Sequence, residues 1–122
     1  MSLVKLSTIP ESYFIDIGTE SRAYTEIILP ALSRMGKEQP AAQFSGNELE
    51  QLKGMVEQAL QQQVKSFTPG EGMAEQKMIF GKEYALTLLN RQHRLISRIH
   101  TIHQMVEHCL AHNYSMRIQY FS

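Results

Sequence analysis

From Met73 to His112 the chain contains no proline and a single glycine, Gly81, while apolar residues recur at spacings of three and four. Ala85, Gln92, Ile99 and Val106 repeat every seven residues, joined by Leu88, Leu95, Ile102 and Cys109 and by Leu89, Ile96, His103 and Leu110. The stripe this makes is wide, which suits a helical bundle better than a two-stranded coiled coil. An uninterrupted pattern of this kind predicts one helix of about 40 residues, roughly 60 Å long.

The preceding segments supply elements for that helix to pack on. Ser45 followed three residues later by Glu48 has the spacing of a capping box, and Leu49, Leu52, Val56, Leu60, Val64 and Phe67 then recur on one helical face. Thr68, Pro69, Gly70, Glu71 and Gly72 read as a turn, so the two helices are expected to form a hairpin. Upstream, Thr19 is placed as the cap of a helix carrying Tyr24, Ile27, Ile28, Leu32 and Met35, bent at Pro30 and stopped by Gly36. Lys37 to Phe44, with Pro40, reads as a connecting loop.

Period-two alternation appears only near the ends. Leu3 to Leu6, Tyr13 to Ile17 and Met116 to Phe121 read as short strands, the last expected beside Tyr13 to Ile17 or beside the same segment of another chain. The expected fold is therefore mainly α: a helical hairpin or bundle with a long C-terminal amphipathic helix, closed by a small sheet of N- and C-terminal strands. A length of 122 residues fits a single domain, residues 1–122.

The second helix is too short to cover the whole stripe. Leu88, Leu95, Ile99, Ile102 and Val106 are accordingly assigned to a homodimer or partner-binding surface. Net charge is zero, yet residues 1 to 75 hold six Lys/Arg against ten Asp/Glu, and residues 76 to 122 hold six against two. Opposed halves favour packing on each other or head-to-tail pairing, and the absence of net charge gives no field for membrane-surface or nucleic-acid binding. No apolar run approaches the roughly 20 residues a membrane helix needs. The single cysteine and the lack of a signal-like N-terminal succession indicate a cytoplasmic protein.

All five histidines, His93, His100, His103, His108 and His112, lie in the last third. His108 and His112 are one helical turn apart, a spacing that lets two imidazoles share a zinc ion, with Cys109 and a carboxylate such as Glu107 as further ligands. Arg91, Arg94 and Arg98 form a guanidinium stripe that would meet phosphates or the acids Glu48, Glu50 and Glu57. No nucleophile elbow, phosphate loop, dinucleotide fingerprint or zinc-protease motif appears, and Asp16 is the only aspartate, so no enzyme activity and no cofactor are expected. The reading that follows is a non-catalytic protein-interaction module, an adaptor, chaperone or regulator, acting as a homodimer on a protein partner. Nucleic-acid binding through Arg91, Arg94 and Arg98 is the first alternative, and a metal-dependent protein centred on His108 and His112 the second.

Overall fold

The computed structural model describes residues 2–38 and 41–122; Pro40 lies outside them. Strand β1 (Leu3–Ile9) and strand β2 (Phe14–Gly18) form an antiparallel pair, with Val4 and Leu6 of the first and Ile17 of the second buried. The C-terminal strand runs beside β1, not beside β2, with Leu3 opposite Phe121 and Ile9 opposite Ser115. β1 takes the central position with Val4, Leu6 and Thr8 buried on its inward row, the Thr8 hydroxyl bonded to the Pro10 carbonyl. β2 carries exposed Phe14 and Asp16 and suits an edge, where the charge of Asp16 discourages further pairing. A short strand β3 (Ala41–Phe44), expected as loop, pairs with the far side of the C-terminal strand.

The chain next to β2 becomes helical at Ser21, whose hydroxyl accepts the Tyr24 N–H at 3.3 Å. Thr19 is not the cap; its hydroxyl is engaged with Ser2. A π-helical turn (Tyr24–Ile28) runs into helix α1 (Leu29–Arg34), and the Leu29 N–H bonds the Tyr24 carbonyl five residues back. Pro30 sits in the first positions of α1, where its missing N–H costs least. The expected bend at Pro30 is thus a widened turn directly before it.

Helix α2 (Asn47–Lys65) buries Leu49, Leu52, Val56 and Leu60. Half of the capping box forms: Glu48 accepts the Ser45 N–H at 3.4 Å, while the Ser45 hydroxyl bonds the Ser115 hydroxyl at 2.6 Å and so ties the helix start to the sheet.

The long helix does not form. Strands β4 (Glu75–Ile79) and β5 (Lys82–Leu86) make a separate two-stranded hairpin, and only after it does helix α3 (Arg91–His112) begin. Two local features override the seven-residue pattern. Phe80 and Gly81 both adopt positive φ, 51° and 77°, which is the two-residue turn geometry whose twist suits adjoining strands. The Asn90 side chain then accepts the His93 N–H at 3.1 Å and caps α3. At its other end Asn113, with φ 58°, closes the helix before strand β6 (Ser115–Phe121).

The fold is therefore mixed α and β, with two antiparallel sheets, and the expected mainly α bundle is wrong. The larger sheet has strand order β2-β1-β6-β3. Its inner face (Val4, Leu6, Ile17, Ala42, Phe44, Met116, Ile118) joins Leu49, Leu52, Val56 and Leu60 of α2 and Ile96, Ile99, Ile102, Met105, Val106 and Cys109 of α3 in one buried cluster. The α3 stripe is wide because it faces both α2 and the sheet. Gln92 at the start of α3 donates to the Ser66 carbonyl at the end of α2, and His103 further on meets Glu57, so the two helices are antiparallel.

Candidate functional site

The β4–β5 hairpin is held by a buried histidine. The His93 Nδ1 accepts the Thr87 N–H at 2.9 Å, and its Nε2–H donates to the Thr68 carbonyl at 2.7 Å, which fixes one neutral tautomer. The Phe67 ring stacks on the imidazole, 4.7 Å between centroids and 19° between planes. This one side chain joins the loop after α2, the end of β5 and the first turn of α3. Gly70 shares the joint: a Cβ there would lie 2.5 Å from the Thr87 hydroxyl and 3.1 Å from the His93 ring.

Directly opposed hairpin residues share a face. Ile79 and Leu86 are buried, so the face they share with Lys77, Lys82 and Tyr84 turns inward, and Met78, Glu83 and Gln76 turn outward. Phe67 also meets the Tyr84 ring edge-on at 5.1 Å.

Clefts open along both long edges of the hairpin. On the β4 side a cleft of ≈ 270 Å³ is lined by Met78, Ile79, Phe80, Glu57, His100, His103 and Glu107 among others. Here buried His103 places Nε2 2.9 Å from Glu57 and Nδ1 3.3 Å from Glu107. Both contacts are N–H donations only when the ring carries both protons, and neither nitrogen is then free to take a proton from a substrate. The arrangement clamps α2 to α3. Burial pushes the neighbouring His100 below its ordinary value, Lys77 and His103 add to the shift, and Glu107 opposes it. Phe80, at the hairpin tip, sits edge-on to His103 at 6.0 Å.

On the β5 side a larger cleft of ≈ 620 Å³ is lined by Lys82 and Tyr84 of β5 and by Gln58, Gln61, Gln62, Val64 and Lys65 of α2. The Lys82 ammonium lies over the Tyr84 ring at 5.5 Å.

The residues assigned to a partner surface are split apart. Ile99, Ile102 and Val106 are buried inside the protomer, Leu95 is half-buried and Leu88 is exposed on the loop before α3. Leu88 and Leu89, with Ala85, belong to no helix. The apolar surface left outside is elsewhere: Met73 is 97% exposed, Leu89 90%, Leu88 62%, Met78 60% and Phe80 47%. Of the nine large apolar side chains exposed among the described residues, these five fall between residues 73 and 89, which makes that stretch the principal apolar surface. The sequence signal for it was present, since Gly81 breaks the helical run, but the phenylalanine before it is not a usual turn residue.

Arg91, Arg94 and Arg98 are exposed on α3 and make no ion pair among the described residues. Arg94 donates to the Leu88 carbonyl at 3.1 Å. Of the acids expected opposite them, Glu48 pairs with Lys37 and Glu57 with His103, while Glu50 is exposed and makes no ion pair among the described residues.

His108 and His112 do meet, 4.3 Å between ring centroids, with Tyr13 and Tyr114 edge-on around His108 at 5.2 and 5.7 Å. The His112 Nδ1–H donates to the His108 carbonyl at 3.0 Å, and His108 Nε2 is buried without a hydrogen-bond partner among the described residues. Cys109 is buried, its thiol donates toward the Ser115 carbonyl at 3.5 Å, and burial raises its pKa. Among the described residues no group of three or more His, Cys, Asp or Glu is arranged to hold a metal ion, and no helix is long and apolar enough to cross a membrane.

Comparison with known protein families, with curated proteins and with solved structures finds no match to this chain.

Proposed function

We propose that this domain is a non-catalytic protein-interaction module that assembles as a homodimer through the β4–β5 hairpin and the loop beyond it. The observation that carries the reading is the concentration of exposed apolar side chains, Met73, Met78, Phe80, Leu88 and Leu89, on one stretch between two helices. Clusters of this kind mark surfaces that another chain covers, and methionines adapt to varied contacts. Because Glu75 pairs with Leu86, Met73 and Leu88 flank the same open end of the hairpin, while Met78 and Phe80 lie toward its tip. The surface thus runs along the hairpin and not along the helical stripe.

Native mass spectrometry tests this. The wild-type chain is expected to be a dimer, and Met73→Glu with Leu89→Glu, which removes no buried packing, is expected to leave a folded monomer. A monomeric wild type, or a dimer indifferent to both charges, overturns the reading.

Nucleic-acid binding has one observation in its favour: Arg91, Arg94 and Arg98 are exposed and make no ion pair among the described residues. That reading predicts affinity for an oligonucleotide that falls steeply with salt, with a log–log slope that Arg94→Ala reduces by about one. Unchanged salt dependence removes it.

A further inference from the structure

The cleft on the β5 side combines two features that point to one class of occupant. Its first feature is an open strand edge. β5 belongs to a two-stranded sheet and, among the described residues, pairs only with β4. In a hairpin with a two-residue loop, Ile79 and Lys82 form the closing hydrogen-bonded pair, so alternation turns the N–H and C=O groups of Glu83 and Ala85 away from β4, where the outward-facing residues of an antiparallel strand would bond them. Such an edge accepts a further strand.

The second feature is charge. No Asp or Glu lines the cleft, whereas Lys65 and Lys82 do, and neither is ion-paired among the described residues. The trough continues into a cleft of ≈ 200 Å³ that shares Gln58 and Gln62 and ends at Arg34, which among the described residues makes no ion pair and has no acid beside it in the lining. Gln58, Gln61 and Gln62 make no side-chain hydrogen bond among the described residues, so three amides are free to donate and accept. From Lys65 back to Met55 the helix covers roughly 15 Å, the span of about five extended residues.

We infer that this trough binds an extended acidic peptide segment of a partner protein, added as a third strand to the free edge of β5. Side chains alternate along a strand, so every second residue of the peptide faces the same way as Lys82 and Tyr84, toward Lys65 and the glutamines of α2. Acidic residues at those alternate positions meet the cations, and the main chain pairs with Glu83 and Ala85. The inference deepens the interaction-module reading by naming what the module holds, and it uses residues distinct from the apolar dimer surface.

The test is fluorescence polarisation with a fluorescein-labelled heptapeptide alternating Glu and Thr. Saturable binding is expected, weakened about tenfold by Lys65→Glu with Lys82→Glu. A peptide with proline at the Thr positions is expected to lose about tenfold or more on the unaltered protein, because it cannot donate to β5. In amide NMR spectra the signals of Glu83 and Ala85 are expected to shift on binding. Equal binding of the proline peptide, equal competition by an unlabelled oligothymidylate, or no binding at millimolar peptide overturns the proposal. Peptide failure alongside an intact dimer removes the trough alone; a monomeric wild type that still takes the peptide removes the dimer alone.

Discussion

Replacing His93 by alanine isolates the joint on which the hairpin hangs. The substitution leaves the Thr87 N–H without its acceptor in a buried setting and frees the Thr68 carbonyl. An orphaned buried donor costs about 1–3 kcal/mol. The Phe67 stack contributes about 0.5–1.5 kcal/mol beyond simple burial, and the vacated ring leaves a void that the well-packed neighbours fill only in part. The Thr68 carbonyl is partly exposed and recovers water, so it adds little. Together these give a loss of about 3–5 kcal/mol, against a total stability of about 5–15 kcal/mol for a domain of this kind. Urea denaturation followed by circular dichroism measures it: the midpoint falls with the slope unchanged. His112→Ala, at an exposed ring on the same helix, is the control and is expected to change stability by less than about 0.5 kcal/mol. A loss below about 1 kcal/mol for His93→Ala would refute the reasoning, because the Thr87 amide alone should cost that much.

Gly70→Ala should destabilise by about 1–3 kcal/mol in the same assay, since the added methyl meets the Thr87 hydroxyl and the His93 ring; a neutral result would mean that the loop shifts freely. His100 titrates below its ordinary value of 6.5 in the folded chain, so the unfolded chain takes up its proton first, and stability present above that pH is lost as pH falls through the folded value. His100→Gln should flatten the stability profile below pH 6.5, and an unchanged profile contradicts the assignment. Cys109, buried with its thiol pushed up, should resist an aromatic disulfide reagent until urea unfolds the chain; rapid native labelling would show that the α3–β6 junction opens.

The terminal strands and the amphipathic faces of α2 and α3 were legible because each carries its own period: Val4 and Leu6 at two, Leu49 to Leu60 and Ile96 to Val106 at three and four. The hairpin was not, because Ala85, Leu88 and Leu89 happen to continue the helical spacing of α3. Local chemistry decides against that spacing: the turn at Phe80 and Gly81 and the cap at Asn90 each stabilise a break that periodicity does not register. Tertiary context explains the site residues in the same way. Ile99, Ile102 and Val106 read as a surface for a partner only while α2 was the sole cover in view, and the four-stranded sheet supplies the rest. The clamp of His103 by Glu57 and Glu107 joins residues on two helices, and only His103 and Glu107, one turn apart on α3, left a local trace.

Hydrogen–deuterium exchange of the wild-type chain, compared between dilute and concentrated solution, tests the interaction surface most directly. Assembly is predicted to slow amide exchange around Met73, Met78, Phe80, Leu88 and Leu89, and to leave the free edge of β5 at Glu83 and Ala85 and the strands carrying Phe14 and Phe121 unchanged. Concentration-dependent protection confined to those strands or to α3, or none at all, would contradict the account.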